Sequence, residues 1–170
     1  VIAILLSFLW LYIGTITIIN DYRNRINYLF SLMCLTMLTW NFAGGLAYSI
    51  DGMDTFRLLS KTSFVGFFLF FPLNLHFYLT ISNTVTKLPY IALNYLAGLV
   101  LSVCQFITYF LFSDIVKYAN EWTGIINYGS VWLYISILYL VMHSILSFII
   151  LIRWHGLTEN KKEKIYSISI

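Results

Sequence analysis

Residues 62–82, TSFVGFFLFFPLNLHFYLTIS, decide the fold. The run SFVGFFLFFPL within them is apolar at both odd and even positions. A membrane barrel strand alternates polar and apolar residues over about ten positions, so such a strand would put the wrong side chains into a barrel lumen. An apolar run of about 18 or more residues is long enough to cross a hydrocarbon core of ~30 Å as a helix. A helix also satisfies its own backbone polar groups, which lipid requires. Working outward, the same pattern repeats at about 26–50 and 1–19 on one side, and at about 90–113 and 131–152 on the other. Polar joints separate the runs: NDYRNR (20–25), DGMDTFRLLSK (51–61), NTVTKLP (83–89) and DIVKYANEWTGIINYGS (114–130). After the polar stretch RWHGLTENKKEK (153–164) the residues IYSISI turn apolar again. The expected fold class is all-α: a polytopic transmembrane helix bundle, with five full spans and the start of a sixth near 165, in a single membrane domain over 1–170. Val1 lies inside an apolar run, and the chain reads as a fragment or a trimmed product.

Composition points the same way. Hydrophobic residues make up 60% of the chain and charged residues 10%, against about a quarter charged in soluble domains. The basic residues are unevenly placed. Arg23, Arg25, Lys87, Arg153, Lys161, Lys162 and Lys164 fall in joints on one side, and Arg57, Lys61 and Lys117 on the other. Lys and Arg accumulate on the cytoplasmic side. The expectation is a multi-pass cell-membrane protein with its N-terminus outside and the 153–164 tail cytoplasmic. Tyr22, Tyr28, Tyr90, Tyr118, Trp122 and Trp154 flank the spans as interfacial anchors. The net charge of +3 comes mostly from the inner joints and makes no case for nucleic acid.

Chemistry-bearing motifs are absent from the sequence. Cys34 and Cys104 sit in apolar runs without CxxC spacing or a nearby His, and read as small packing residues. There is no glycine-rich phosphate loop, GxSxG, HExxH or paired carboxylate, and every acid lies in a joint or the tail. An intramembrane protease or proton pump would usually need an acid or nucleophile within the bilayer. No enzyme activity, catalytic residue, metal site or cofactor is expected.

The informative residues are polar groups inside spans. Asn41, Gly44, Gly45 and Tyr48 follow helical spacing and form a small polar face beside Trp40, which reads as a helix-packing seam. Pro72 removes a backbone donor and should kink the third span, with Asn74 close by and His76 one turn later. Tyr139, His143 and Ser147 form a stripe at four-residue steps. His76 and His143 lie about 9 and 13 Å from the inner ends of their spans at helical rise, so they could share one layer. Asn41 and Gln105, each roughly 22 Å in by the same rise, could share another. Histidine is costly in lipid, so both should face the bundle interior. An inward-facing pocket between the third and fifth spans would then carry Asn74, His76, Tyr139 and His143 as candidate ligand-binding residues, with Trp40, Asn41, Gly44, Gly45 and Pro72 as structural or hinge residues. The plainer alternative is that each polar group bonds a neighbouring carbonyl and fixes helix register. On polar residues alone that alternative ranks ahead.

WNFAGGLAYS (40–49), RLLSKTSFVG (57–66) and FLFFPLNLHFYL (68–79), followed by YGSVWLYISILYL (128–140) and the basic ENKKEK (159–164), carry a resemblance. The chain resembles the N-terminal seven-helix membrane region of bacterial sensor histidine kinases and diguanylate cyclases. The matching positions are Trp40, Pro72, His76, Phe77 and Gly129. The resemblance implies a sensory input region, outside-in, that passes a ligand or membrane signal to a cytoplasmic signalling domain in cis. The chain departs from the family pattern by truncation: the sixth span barely begins, and neither a seventh span nor an output domain is present. Its expected partners are the lipid bilayer, a small apolar ligand and, as a further candidate, a second copy of the chain. The alternative is a small-molecule transporter or the substrate-binding membrane subunit of one. The interruptions at Gly44–Gly45 and Pro72 have no clear counterparts in the fourth and fifth spans, which weakens that alternative.

Overall fold

A computed structural model describes residues 2–84, 87–118 and 121–157. The elements run α1 (Ile2–Asn20), α2 (Arg25–Ala47), α3 (Met53–Ile81), α4 (Leu88–Thr108), β1 (Phe112–Tyr118), β2 (Glu121–Ile126) and α5 (Val131–Leu157). All five helices are long and apolar enough to cross a membrane. The expected sixth span near 165 lies outside the described residues.

Helix α3 is the hub and packs against α2, α4 and α5, while α1 packs against α2. The exposed surface is largely apolar: Leu5, Phe8, Leu96, Leu99, Leu138 and Phe148 all face outward. In water such a surface would be a liability; in a bilayer it is the surface the solvent demands. The core is thin and aromatic. Phe68 is fully buried, and its ring lies between those of Phe64, Phe67 and Phe110.

Backbone approach sets the α2–α3 contact. A Cβ on Gly66 would lie 2.5 Å from the Thr36 carbonyl oxygen and 2.8 Å from the Trp40 nitrogen. Only glycine admits helices this close, as small residues do throughout membrane bundles. The Ser63 hydroxyl then donates to the Trp40 carbonyl at 2.9 Å, and the Trp40 and Phe67 rings meet at 4.7 Å. A matching contact joins α1 to α2. A Cβ on Gly14 would fall 2.8 Å from that of Cys34, and the Ser31 hydroxyl donates to the Gly14 carbonyl at 2.8 Å.

Four boundaries differ by three residues or more from the sequence expectation, one of them the end of α5, which runs to Leu157 rather than Ile152. Helix α3 begins at Met53 rather than near 62, so most of the joint 51–61 is helical. At 29 residues it is about 43 Å long at helical rise and projects beyond a ~30 Å hydrocarbon core. Its charged residues, Asp54, Arg57 and Lys61, share the segment with the buried Phe56 and Ser60, so the turns are amphipathic. Helix α2 stops at Ala47 rather than Ile50. Helix α4 stops at Thr108 rather than Ser113 because Tyr109 takes a left-handed conformation (φ 52°) and donates its N–H to the Gln105 carbonyl at 2.9 Å.

The joint 114–130, expected as a polar joint between spans, holds most of an antiparallel hairpin. Its register pairs Ile115 with Gly124, Val116 with Thr123 and Lys117 with Trp122, with an irregularity between Phe112 and Asp114. The Phe112 ring covers Gly124, and a Cβ there would collide with it, the way aromatic rings shield glycines in sheets. Ile115 is buried with Ala47, Phe56 and Tyr109. The hairpin therefore caps one end of the bundle. Lys117 holds Asp51 at 3.1 Å across the cap. Burial under it pushes the Tyr109 phenol above its usual pKa, so that group stays neutral. The opposite end of the bundle carries Arg23, Arg25, Lys87 and Arg153 and is called the basic end below.

Candidate functional site

The polar interior centres on the junction of α3, α4 and α5. Pro72 is fully buried inside a continuous α3. A proline lacks the N–H that would bond the carbonyl four residues earlier, which here belongs to Phe68. The Tyr139 hydroxyl from α5 donates to that carbonyl at 3.5 Å, long for an O–H···O bond. Gly98 of α4 makes room for it. A Cβ there would lie 2.8 Å from the Tyr139 hydroxyl, 3.1 Å from the Phe68 oxygen and 3.1 Å from Pro72. One backbone acceptor freed in α3 is thus met by a side chain from α5 through a notch in α4.

His143 completes the junction. Its ring packs on that of Tyr139 at 4.1 Å and against Phe71 at 6.4 Å. Nδ1 donates to the Tyr139 carbonyl, one turn earlier in its own helix, at 2.8 Å. Nε2 faces the side-chain amide of Asn94 on α4. The facing atom is the Asn94 Oδ1, an acceptor.

His76 lies elsewhere. Its Nε2 meets the Arg25 guanidinium at 2.8 Å and its Nδ1 the Tyr95 hydroxyl at 3.0 Å. Asn94 and Tyr95 are consecutive on α4, so the two histidines engage one level of that helix. Among the described residues the two rings expected to share a pocket bond different partners and do not meet. Asn74 is half-buried and makes no side-chain hydrogen bond among the described residues. Asn41 donates to Met37 within its own helix at 2.8 Å, and Gln105 accepts from the Leu111 N–H at 3.1 Å. Neither bonds the other, so the outer polar layer expected from them does not form. Gly44 and Gly45 do not share one seam: a Cβ on Gly44 would meet Ser63 of α3 at 3.0 Å, and one on Gly45 would meet Ala3 and Ile4 of α1 at 3.0 Å.

Beside the junction, toward the hairpin, α3 and α5 part to leave a groove of about 230 Å³, lined by Phe64, Phe67, Phe68, Leu133, Ser136 and Leu140 among others. The Ser136 hydroxyl is turned into its own helix, donating to the Trp132 carbonyl at 2.8 Å. The groove wall is therefore apolar throughout. It ends on Phe68, the residue whose carbonyl Tyr139 holds.

Sequence reasoning found Pro72, Tyr139 and His143 but missed Asn94, Tyr95, Gly98 and Arg25. The signal was the spacing Asn94–Gly98 in ALNYLAGL, which places an amide and a gap on one face of α4. Fold and site together define a multi-pass α-helical membrane protein. No family model matches the chain, and no curated protein or solved structure matches it either.

Proposed function

We propose that this chain is the membrane-embedded sensory input module of a bacterial signal-transduction protein. It takes a small, mostly apolar molecule from the bilayer into the α3–α5 groove. It passes the signal through α5 to a cytoplasmic signalling domain in cis. The observation that carries this reading is the continuity of groove and junction. A ligand between Phe68 and Leu140 presses on a place where α5 holds the backbone of α3. Apolar walls with a few polar groups nearby are the usual composition of a small-molecule site. A ligand that fits the groove better in one arrangement of α5 than in the other shifts the balance between them. The alternative is a small-molecule transporter or the substrate-binding membrane subunit of one; transporters commonly bind at broken helices near the midplane.

The proposed orientation puts the hairpin outside and the basic end in the cytoplasm, following the distribution of Lys and Arg. Single cysteines at Tyr22 and Tyr128, both exposed, in a background lacking Cys34 and Cys104, should separate in intact cells. A membrane-impermeant maleimide should label position 128 and spare position 22. The reverse pattern would invert the proposed topology.

Filling the groove tests the sensing reading itself. Leu140→Trp should leave the protein folded but shift the response of the output domain in the full-length protein to octanol and decanol by tenfold or more, on the order of 1.4 kcal/mol of differential binding. A response unchanged in midpoint and amplitude would refute a ligand site in the groove. Uptake of solute into proteoliposomes with no effect on any output would instead favour transport.

A further inference from the structure

The basic end carries two clefts that the sensing reading leaves unused. The first, of about 300 Å³, is lined by Arg25, His76, Thr80 and Asn83, with Leu79 and Ile91 as its aliphatic wall. The second, of about 350 Å³, has Arg153 and Trp154 above Ile149 and Ile150. Both are lined by Asn83 and Thr84, so they adjoin at the turn that ends α3. Each has a polar, cationic mouth over an apolar wall.

Among the described residues no carboxylate pairs with the charge in the first cleft. Arginine only donates hydrogen bonds, so His76 Nε2 at 2.8 Å from Arg25 must accept, and the ring proton sits on Nδ1 facing Tyr95. His76 therefore orients the guanidinium without neutralising it. The nearest acid in sequence, Asp21, accepts from the Arg23 backbone N–H at 3.1 Å. Among the described residues the ion pair is Lys117–Asp51 at the other end of the bundle. The end of α3 does not repel an anion strongly either, because its Tyr78, Leu79 and Thr80 carbonyls are occupied. Asn83 takes a left-handed conformation (φ 48°), its N–H bonds the Thr80 carbonyl at 3.2 Å, and the Thr84 N–H bonds the Leu79 carbonyl at 3.0 Å. This is the two-bond closure that glycine or asparagine gives a helix C-terminus.

We propose that the Arg25 cleft binds the phosphodiester headgroup of an anionic phospholipid, with an acyl chain along Leu79 and Ile91, and that Arg153 offers a second contact across the α3 turn. A guanidinium fixed on one side by an imidazole keeps free N–H donors for phosphate oxygens. Basic pockets between spans at the headgroup level hold anionic lipids in this way. The aliphatic wall favours a lipid over a free phosphate. The site does not depend on which side of the membrane the basic end faces, nor on the sensing reading.

The test is lipid retention by the full chain. The protein is purified in detergent, incubated with equal phosphatidylglycerol and phosphatidylcholine, and the retained lipid read by native mass spectrometry. Phosphatidylglycerol should be retained about fivefold over phosphatidylcholine, as one basic contact is worth. Arg25→Gln should bring the ratio close to one, Arg25→Lys should keep most of it, and Arg23→Gln, which removes the same charge from the same joint, should leave it unchanged. Ile91→Trp fills the cleft without touching the charge and should also lower the ratio, which keeps the test decisive if Arg25→Gln folds poorly. Equal retention of the two lipids, equal effects of Arg23→Gln and Arg25→Gln, or full preference in Ile91→Trp would overturn the proposal. Displacement of the lipid by millimolar inorganic phosphate would also overturn it, in favour of a free-anion site.

Discussion

Gly66→Val is expected to abolish the folded bundle, with a loss of stability of about 3 kcal/mol or more, at the upper end of what overpacking costs. The neighbours of the missing Cβ are the backbone oxygen of Thr36 and the backbone nitrogen of Trp40, and neither can rotate away. Either α2 and α3 separate or one of them bends. Separation would also break the Ser63–Trp40 bond and the Trp40–Phe67 ring contact. The seam glycines visible in the sequence rank lower. Gly45→Leu meets Ala3 and Ile4 of α1, including the Ile4 backbone nitrogen at 3.3 Å, and Gly44→Ala meets the Ser63 side chain, which can turn. Gly129→Val is the control, since its Cβ would meet only the Asn127 side chain at 3.6 Å. Reversible unfolding in mixed micelles should give the order Gly66, Gly45, Gly44, Gly129. Equal midpoints for Gly66→Val and Gly129→Val would mean that the α2–α3 approach is looser than described.

The spans were legible because nothing but a membrane helix accommodates runs like LLSFLWLYIG or LYISILYLVMHSILSFII. The polar joints were less so. Asp54, Arg57 and Lys61 marked 51–61 as a loop, yet Phe56 and Ser60 on the buried side keep it helical. The hairpin was obscured because FSDIVKY continues the apolar run of α4, and the break lies in the backbone of Tyr109 rather than in any glycine or proline. The candidate site was half legible. Polarity inside a span picks out Pro72, Tyr139 and His143, but sequence spacing within one helix says nothing about partners on another. His76 and His143 share a level of α4 and still face different groups, Arg25 and Tyr95 for one, Asn94 for the other. The acceptor that matters most at the junction, the Phe68 carbonyl, is a backbone atom and leaves no trace in the residue types.

The junction of α3 with α5 is the centre of the account, and a double-mutant cycle measures it directly. Tyr139→Phe removes the hydroxyl that meets the Phe68 carbonyl at 3.5 Å and should cost about 1 kcal/mol, typical of an interhelical bond within a membrane. Pro72→Ala restores a backbone N–H to α3 at the position that serves the same carbonyl within the helix. In that background the carbonyl no longer depends on α5, and Tyr139→Phe should cost little. The two changes should therefore couple by about 0.5 kcal/mol or more, beyond the additivity expected of independent sites. In the full-length protein, Tyr139→Phe should also shift the output, while the Pro72→Ala variant should lose sensitivity to that change. Strict additivity of the two substitutions, with an equal cost for Tyr139→Phe in both backgrounds, would contradict the claim that α5 holds the carbonyl Pro72 sets free.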